Sequence, residues 1–575
     1  MRTRTLALVL VLVCAFSSVP TVPASAQSAR PFSLPFNTPP GPSTWFLGQQ
    51  YGNTSGAYNL GKYWYAAGQG LHFGIDFSAP CGTPVVALAD GVVDYADNLS
   101  FGSAPHNLII SHGDLGYTVL YGHLLTRPTV VRGQPVKHGE VVAQSGDPDE
   151  TCTSRPHLHL EVRSMDYRTA YNPAPLIDAD WAMLSSMGHF DSNNFVKDLN
   201  APNRWQTIDS QPEVHFGGRI LNSFDDSWPV RSRFQPPSAT LPLFLATPVT
   251  ESSPLTMTRL TQPGCCSWAW WSPDGESVQM WDGLEGQRAA VYTVRLDGST
   301  DGQPDQQGFK QMSPDGRFVL YWNNGRVSVT QRFDGATSQI VTGSAWPRFS
   351  PGSQRLLWQR LPADSIPGSP PPLTEIWISN VDGSGRTLLM TQSGGSVTWL
   401  DEDRLLLSRR PQNSLTTSLI VYTISTGEQK PLIDLKSMRG LSVGPSGRLL
   451  LFYLAFQDDP NANGMYVMDT FGNPPSKLPF FGSVRWRDSL SVVYIPYGLN
   501  QPMQFRLYDL GAQTDRPLTD PQSQRVSVAN DDWSVAPNGQ AVMWWSADDY
   551  ALWTLRLSQP SVMENGRPAD ADSRG

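Results

Sequence analysis

Seven of the nine histidines in this 575-residue chain fall between residues 72 and 159. Two of them, His157 and His159, stand two apart in the run RPHLHLEVR. A strand repeats every two residues, so both imidazoles would point to one face. The bland reading is a half-buried strand whose polar face carries histidine; the chemical reading is a metal site. Three stretches carry that chemistry: GLHFGIDF with His72 and Asp76, YGHL with His123, and HLHLEV with the pair. A hydrolytic zinc takes three protein ligands of nitrogen or oxygen type and keeps a fourth position for water. His72, Asp76 and one histidine of the pair meet that count. Asp76 follows His72 by four residues, so in an extended chain both side chains emerge on one face. The other histidine of the pair, with His123, could act as general base or as donor to a developing oxyanion. No His-Glu-x-x-His run is present, which fits imidazole as the base. His106, His112 and His138 read as structural or surface residues.

The elements that must hold these residues are short strands. TPVVALADGVVDYAD, HNLIISHG, GYTVLYGHLL and VVAQSG alternate or run apolar between Gly, Asp and Pro, and predict a compact β domain over residues 46–181. Residues 182–245 lack clear periodicity and read as a connector. From 246 to 558 a unit recurs, as in WWSPDGESVQMW, QMSPDGRFVLYW, RFSPGSQRLLWQ, SVGPSGRLLLFY and SVAPNGQAVMWW. Each is a strand, a tight turn and a second strand, and Ser-Pro-Asp-Gly suits a type I turn. The spacing is near the roughly 40–45 residues of one four-stranded propeller blade. The units resemble TolB or WD-type propellers and count to six to eight blades, best read as seven. The stretch before the first complete unit could supply the strand missing from the last and close the ring. The whole chain reads as all-β, and the propeller contains no histidine. Any imidazole chemistry therefore belongs to the first domain.

Arg2 and Arg4, an apolar run and ASA before Gln27 make the pattern of a secretory signal peptide over residues 1–26. Its apolar core is short for a membrane span, and no later stretch approaches that length. The expected mature protein is soluble and exported: extracellular, in the cell wall or periplasmic. Residues 27–45, rich in Pro and Ser, read as a leader with little structure of its own, and 559–575 as a disordered tail. The net charge of −9 without strong clustering argues against a nucleic-acid partner. Four cysteines remain after signal removal, an even number that favours disulfides in an exported chain.

The ordered set of His-x-x-x-Asp, a later histidine after an aromatic strand and a closing His-x-His resembles the lysostaphin-type, or LytM-like, zinc endopeptidases over roughly residues 50–175. GTPVVALADGVV and GQPVKHGEVVAQSG add to the match. The resemblance implies a two-layer antiparallel β domain, one Zn2+ held by His72, Asp76 and His159, and His123 and His157 as catalytic histidines. It also implies peptidoglycan stem or cross-bridge peptides as substrate, with an unknown protein or glycan ligand for the propeller. Latent relatives carry a blocking asparagine, for which Asn53 and Asn59 are candidates, and relatives use a tyrosine near the site, for which Tyr63 or Tyr65 stands ready. If the two metal-bearing strands are neighbours, Cys81 and Cys152 could meet across them. Cys265 and Cys266 are adjacent, with no partner preferred. Competing readings are a non-catalytic wall- or protein-binding module, and a peptidase acting on a protein outside the wall.

Overall fold

The computed structural model describes residues 30–189, 207–221, 247–249, 255–266, 268–282, 290–300, 310–323, 326–340, 347–360, 373–411 and 413–557. The expected signal peptide, the tail and much of the connector lie outside these residues. Among them no helix is long and apolar enough to cross a membrane.

The strands of the first half are β1 (Phe46–Gln49), β2 (Ile75–Ser78), β3 (Pro84–Val86), β4 (Gly91–Ala96), β5 (Leu108–His112) and β6 (Tyr117–Gly122). They continue with β7 (Pro135–Val136), β8 (Val141–Gln144), β9 (His157–Arg163), β10 (Thr169–Tyr171) and β11 (Val214–His215). The main sheet is antiparallel in the order β1-β2-β9-β6-β5-β4-β7, with β10 and β11 attached alongside β9. A separate ribbon pairs β3 with β8. Alternation along β9 explains its central place. Leu158, Leu160 and Val162 enter one apolar core with Ile75 and Phe77 of β2 and Val119 and Tyr121 of β6. Val85 and Val142 bring the small ribbon onto the same core. The opposite face of β9 carries His157, His159, Glu161 and Arg163, all buried.

Residues 30–45 form nothing longer than an isolated bridge between Phe32 and Ile177. They nonetheless send Phe32, Phe36 and Trp45 into the core, because these large apolar side chains outweigh the surrounding Pro and Ser. A disulfide joins Cys81 to Cys152 across a separation of 71 residues. Closing a loop of that length stabilises the folded state by about 4 kcal/mol in the chain-entropy model. Cys265 and Cys266 are buried and do not form a disulfide.

The second half is a seven-bladed propeller, each sheet a run of antiparallel strands. Its Ser-Pro-Asp-Gly turns close as their residue types dictate. Ser272 Oγ donates to Asp274 Oδ1 at 2.5 Å, and Gly275 N donates to Ser272 O at 2.9 Å. The glycine takes φ +73, a left-handed conformation that favours a residue without Cβ. The ring closes through Met257–Arg259, which pairs with the last strand, Leu552–Arg556, in the register Thr258 to Thr554. Thr247–Val249 then adds outside Met257–Arg259.

The two halves share an apolar contact. Phe46 of β1 is fully buried, with ring centroids 6.0 Å from Tyr453 and 5.7 Å from Phe456 of the propeller. The short helix Trp181–Leu184 sends Met183 into a propeller core with Val493 and Phe505. Such apolar seating fixes the orientation of the first domain better than a polar contact would.

Candidate metal centre

Strand register assembles the site. Between β2 and β9, Asp76 lies opposite His159 and Ser78 opposite His157. On the other side of β9, Gly122 of β6 lies opposite His159, which places His123 at the strand end beside it. His72 precedes β2 and is pinned by two backbone bonds to Gly52, at 2.7 and 2.9 Å. Gly74 leaves the space that the site needs, since a Cβ there would lie 2.6 Å from His159 Cε1. His123 sits at φ 56, a left-handed conformation uncommon for a residue with a side chain and frequent at functional sites.

All five residues singled out from the sequence come together. His72 Nε2 lies 3.3 Å from Asp76 Oδ1 and 3.3 Å from His159 Nδ1. His159 Nδ1 lies 2.7 Å from Asp76 Oδ1. These three buried groups form a cluster able to hold a metal ion. Tetrahedral ligands at zinc bond lengths stand about 3.3 Å apart, so two of the three separations already match, and two nitrogens with one carboxylate oxygen suit zinc. His157 Nε2 lies 3.7 Å from Asp76 Oδ1. The His123 and His157 ring centroids are 4.8 Å apart.

The tautomers follow from the partners. A backbone carbonyl only accepts, so a ring nitrogen facing one carries the proton. His72 Nδ1 donates to Gln50 O at 2.7 Å, and His157 Nδ1 donates to Arg155 O at 2.7 Å. His123 Nδ1 donates to Ala104 O. In the neutral rings this leaves the Nε2 lone pairs of His72, His123 and His157 available. Burial, with some opposition from Asp76, lowers the His157 pKa below the usual imidazole range. Burial and the charges of His157 and His159 hold His123 down at about 3. Both rings are therefore ready to accept a proton rather than already charged. Asp76 is the reverse: burial opposes its charge, but His72, His157 and the bond from His159 hold its carboxyl well below the usual range.

Two residues escaped the sequence reading. Glu161 Oε1 lies 3.3 Å from His159 Nε2, on the ring edge away from Asp76. Arg163 holds Glu161 from behind through Nε to Oε2 at 2.7 Å and Nη2 to Oε1 at 3.0 Å, and its guanidinium stacks 4.3 Å from the Phe216 ring centroid. Burial alone would depress His159, but its bonds to Asp76 and Glu161 outweigh that and raise it to about 9. A carboxylate behind a ligating imidazole fixes its ring and tautomer. The signal was in the sequence, because Glu161 and Arg163 continue the same two-residue alternation as the histidines. Glu161→Gln is expected to weaken zinc binding about 10- to 100-fold, measured by competition with a chelator, and an unchanged affinity would remove the orienting role.

Of the tyrosine candidates, Tyr65 stands beside the site, its ring centroid 5.7 Å from that of His72. Tyr63 is exposed. Asn53 is buried next to Gly52, and the Asn59 side chain lies outside what the structure describes.

Residues 70–173 match Peptidase family M23. Over 131 residues the chain is 30% identical to lysostaphin from Staphylococcus simulans, covering 22% of this chain and 26% of that protein. Over 144 residues it is 30% identical to the glycyl-glycine endopeptidase ALE-1 of Staphylococcus capitis, covering 25% of this chain and 38% of that protein. In both cases the chain spans well under half of the relative's length. Among solved structures, TolB from Acinetobacter baumannii is similar to 51% of this chain and 79% of its own, at 12% identity and a TM-score of 0.27. Residues 70–173 thus match the family that the motifs of this region resemble, and a seven-bladed propeller follows them.

Proposed function

We propose that this protein is an exported zinc metalloendopeptidase that hydrolyses amide bonds in the peptide part of bacterial peptidoglycan, with the propeller as a binding platform. The observation that carries this reading is the convergence of His72 Nε2, Asp76 Oδ1 and His159 Nδ1 beside two further imidazoles, in a domain matched by an endopeptidase family. A bound zinc ion would supply Lewis-acid polarisation of the scissile carbonyl and lower the pKa of a water to about 7. His72, Asp76 and His159 would hold the ion. His157 Nε2 takes the proton of the attacking water and returns it to the leaving amine. His123, with its Nδ1 proton anchored on Ala104 O, brings its Nε2 lone pair beside His157, and it would steady the charge that develops on the carbonyl oxygen once Nε2 has taken up a proton. A purely binding role would tolerate loss of one of these residues, whereas all five are present and in contact.

Digestion of purified peptidoglycan by the mature protein, read by mass spectrometry, tests the reading. New amino termini that vanish with chelator and return with zinc are expected. Intact peptides after treatment with folded, zinc-loaded protein, or cleavage indifferent to chelator, would overturn it.

A further inference from the structure

A cavity of about 370 Å³ lies where the first domain meets the propeller. Ser78 and the stretch Ser154–Pro156 line it from one side; Arg410, Arg439 and Arg485 line it from the other. Its position relative to the metal centre follows from register. Asp76 and Ser78 share one face of β2, and His157 opposite Ser78 shares that face with His159. The other face, with Ile75, Phe77 and Leu158, is core. Ser78 therefore leads from the metal cluster into the cavity, roughly 7 Å further along the strand. Ser154–Pro156 runs directly into His157.

The cavity's charge is unbalanced. Arg485 pairs with Asp531 at 2.8 Å. Arg410 donates to the backbone carbonyls of Ser414, at 2.7 Å, and Ser154, at 2.9 Å, and Arg439 donates to that of Gly188 at 3.0 Å. Neither Arg410 nor Arg439 has a carboxylate partner among the described residues. Partial burial and the neighbouring charge of Arg439 hold the Arg410 guanidinium below its ordinary value. Two guanidinium groups that line one cavity, one close enough to feel the other's charge, repel each other, and their planar donor forks match a carboxylate. The apolar seat of Phe46 keeps the two halves in this relation.

We infer that Arg410 and Arg439 form a subsite, supplied by the propeller, for a free carboxylate of the peptide that lies across the metal centre. This rests on the peptidase reading for the identity of the ligand, and it gives the propeller a part in substrate choice. Substrates carrying a free carboxylate within a few residues of the scissile bond are selected over their amidated counterparts.

Calorimetry with the full-length mature protein tests this without requiring turnover. The probes are L-alanyl-γ-D-glutamyl-L-lysyl-D-alanine with free carboxylates and the same peptide with every carboxyl amidated. The acid form is expected to bind about tenfold tighter or more, with a preference that shrinks as salt rises. The double variant Arg410→Gln/Arg439→Gln is expected to lose the preference, and Arg410→Lys/Arg439→Lys to regain part of it. Zinc content and the unfolding midpoint report whether each variant is folded. Equal binding of the two peptides, binding of neither, or a preference that survives in the glutamine variant would overturn the subsite. Discrimination without any peptidoglycan hydrolysis would leave the subsite standing and remove the peptidase reading. Hydrolysis without discrimination would do the opposite.

Discussion

Replacing His159 with alanine is expected to remove bound zinc and peptide hydrolysis together. The residue touches three of the charged or ligating groups of the site. Its Nδ1 meets Asp76 at 2.7 Å and His72 at 3.3 Å, while its Nε2 faces Glu161. Loss of a partner behind a ligand already costs about 10- to 100-fold in metal affinity, so loss of the ligand itself should exceed the upper end of that range. Only one carboxylate and one imidazole would remain, too few to hold the ion against dilution. Elemental analysis and peptide cleavage, measured on the same preparation, check the result. Alanine also leaves a gap beside Phe73 and leaves Glu161 with Arg163 but without its imidazole neighbour, so His159→Gln, nearer in volume, serves as the folded control. Full zinc stoichiometry with wild-type turnover in both variants would show that the ligand assignment is wrong.

The second large effect separates binding from turnover. His157→Ala should keep zinc and lose about 10²- to 10⁴-fold in kcat, the usual contribution of a placed general base. The His157 ring is held by Arg155 O at Nδ1, and its Nε2 stands 3.7 Å from Asp76 Oδ1, close to the cluster without completing it. The alternative bearer of the proton is His123, whose ring is 4.8 Å away. Parallel measurement of His123→Ala distinguishes them. A base lost at His157 leaves zinc content untouched and kcat low, whereas wild-type cleavage by His157→Ala would pass the role to His123.

Much of this site was legible because local spacing carries it. His157 and His159 share a face since a strand repeats every two residues, and the apolar Leu158 and Leu160 between them state which face is core. The blades were legible for the same reason, the Ser-Pro-Asp-Gly turns at Ser272 and Ser313 being closed by their own Ser, Asp and Gly within a few residues. Glu161 obeyed the same alternation but was passed over, because a glutamate two residues after a histidine motif has many ordinary explanations. The leader was read from its Pro and Ser content, while Phe32, Phe36 and Trp45 decided its packing.

The sequence alone determined the candidate ligand types, the faces they occupy, the strand-and-turn unit of the propeller and the strand spare at its start. Those features depend on residues close together along the chain, where covalent geometry sets the period. Only the tertiary structure decided that Asp76 lies opposite His159, that Arg163 braces Glu161, and that two propeller arginines face the groove beside His157. Each of those pairings joins surfaces through packing and register rather than spacing, and a slip of one residue in a strand would turn every side chain on it to the other face.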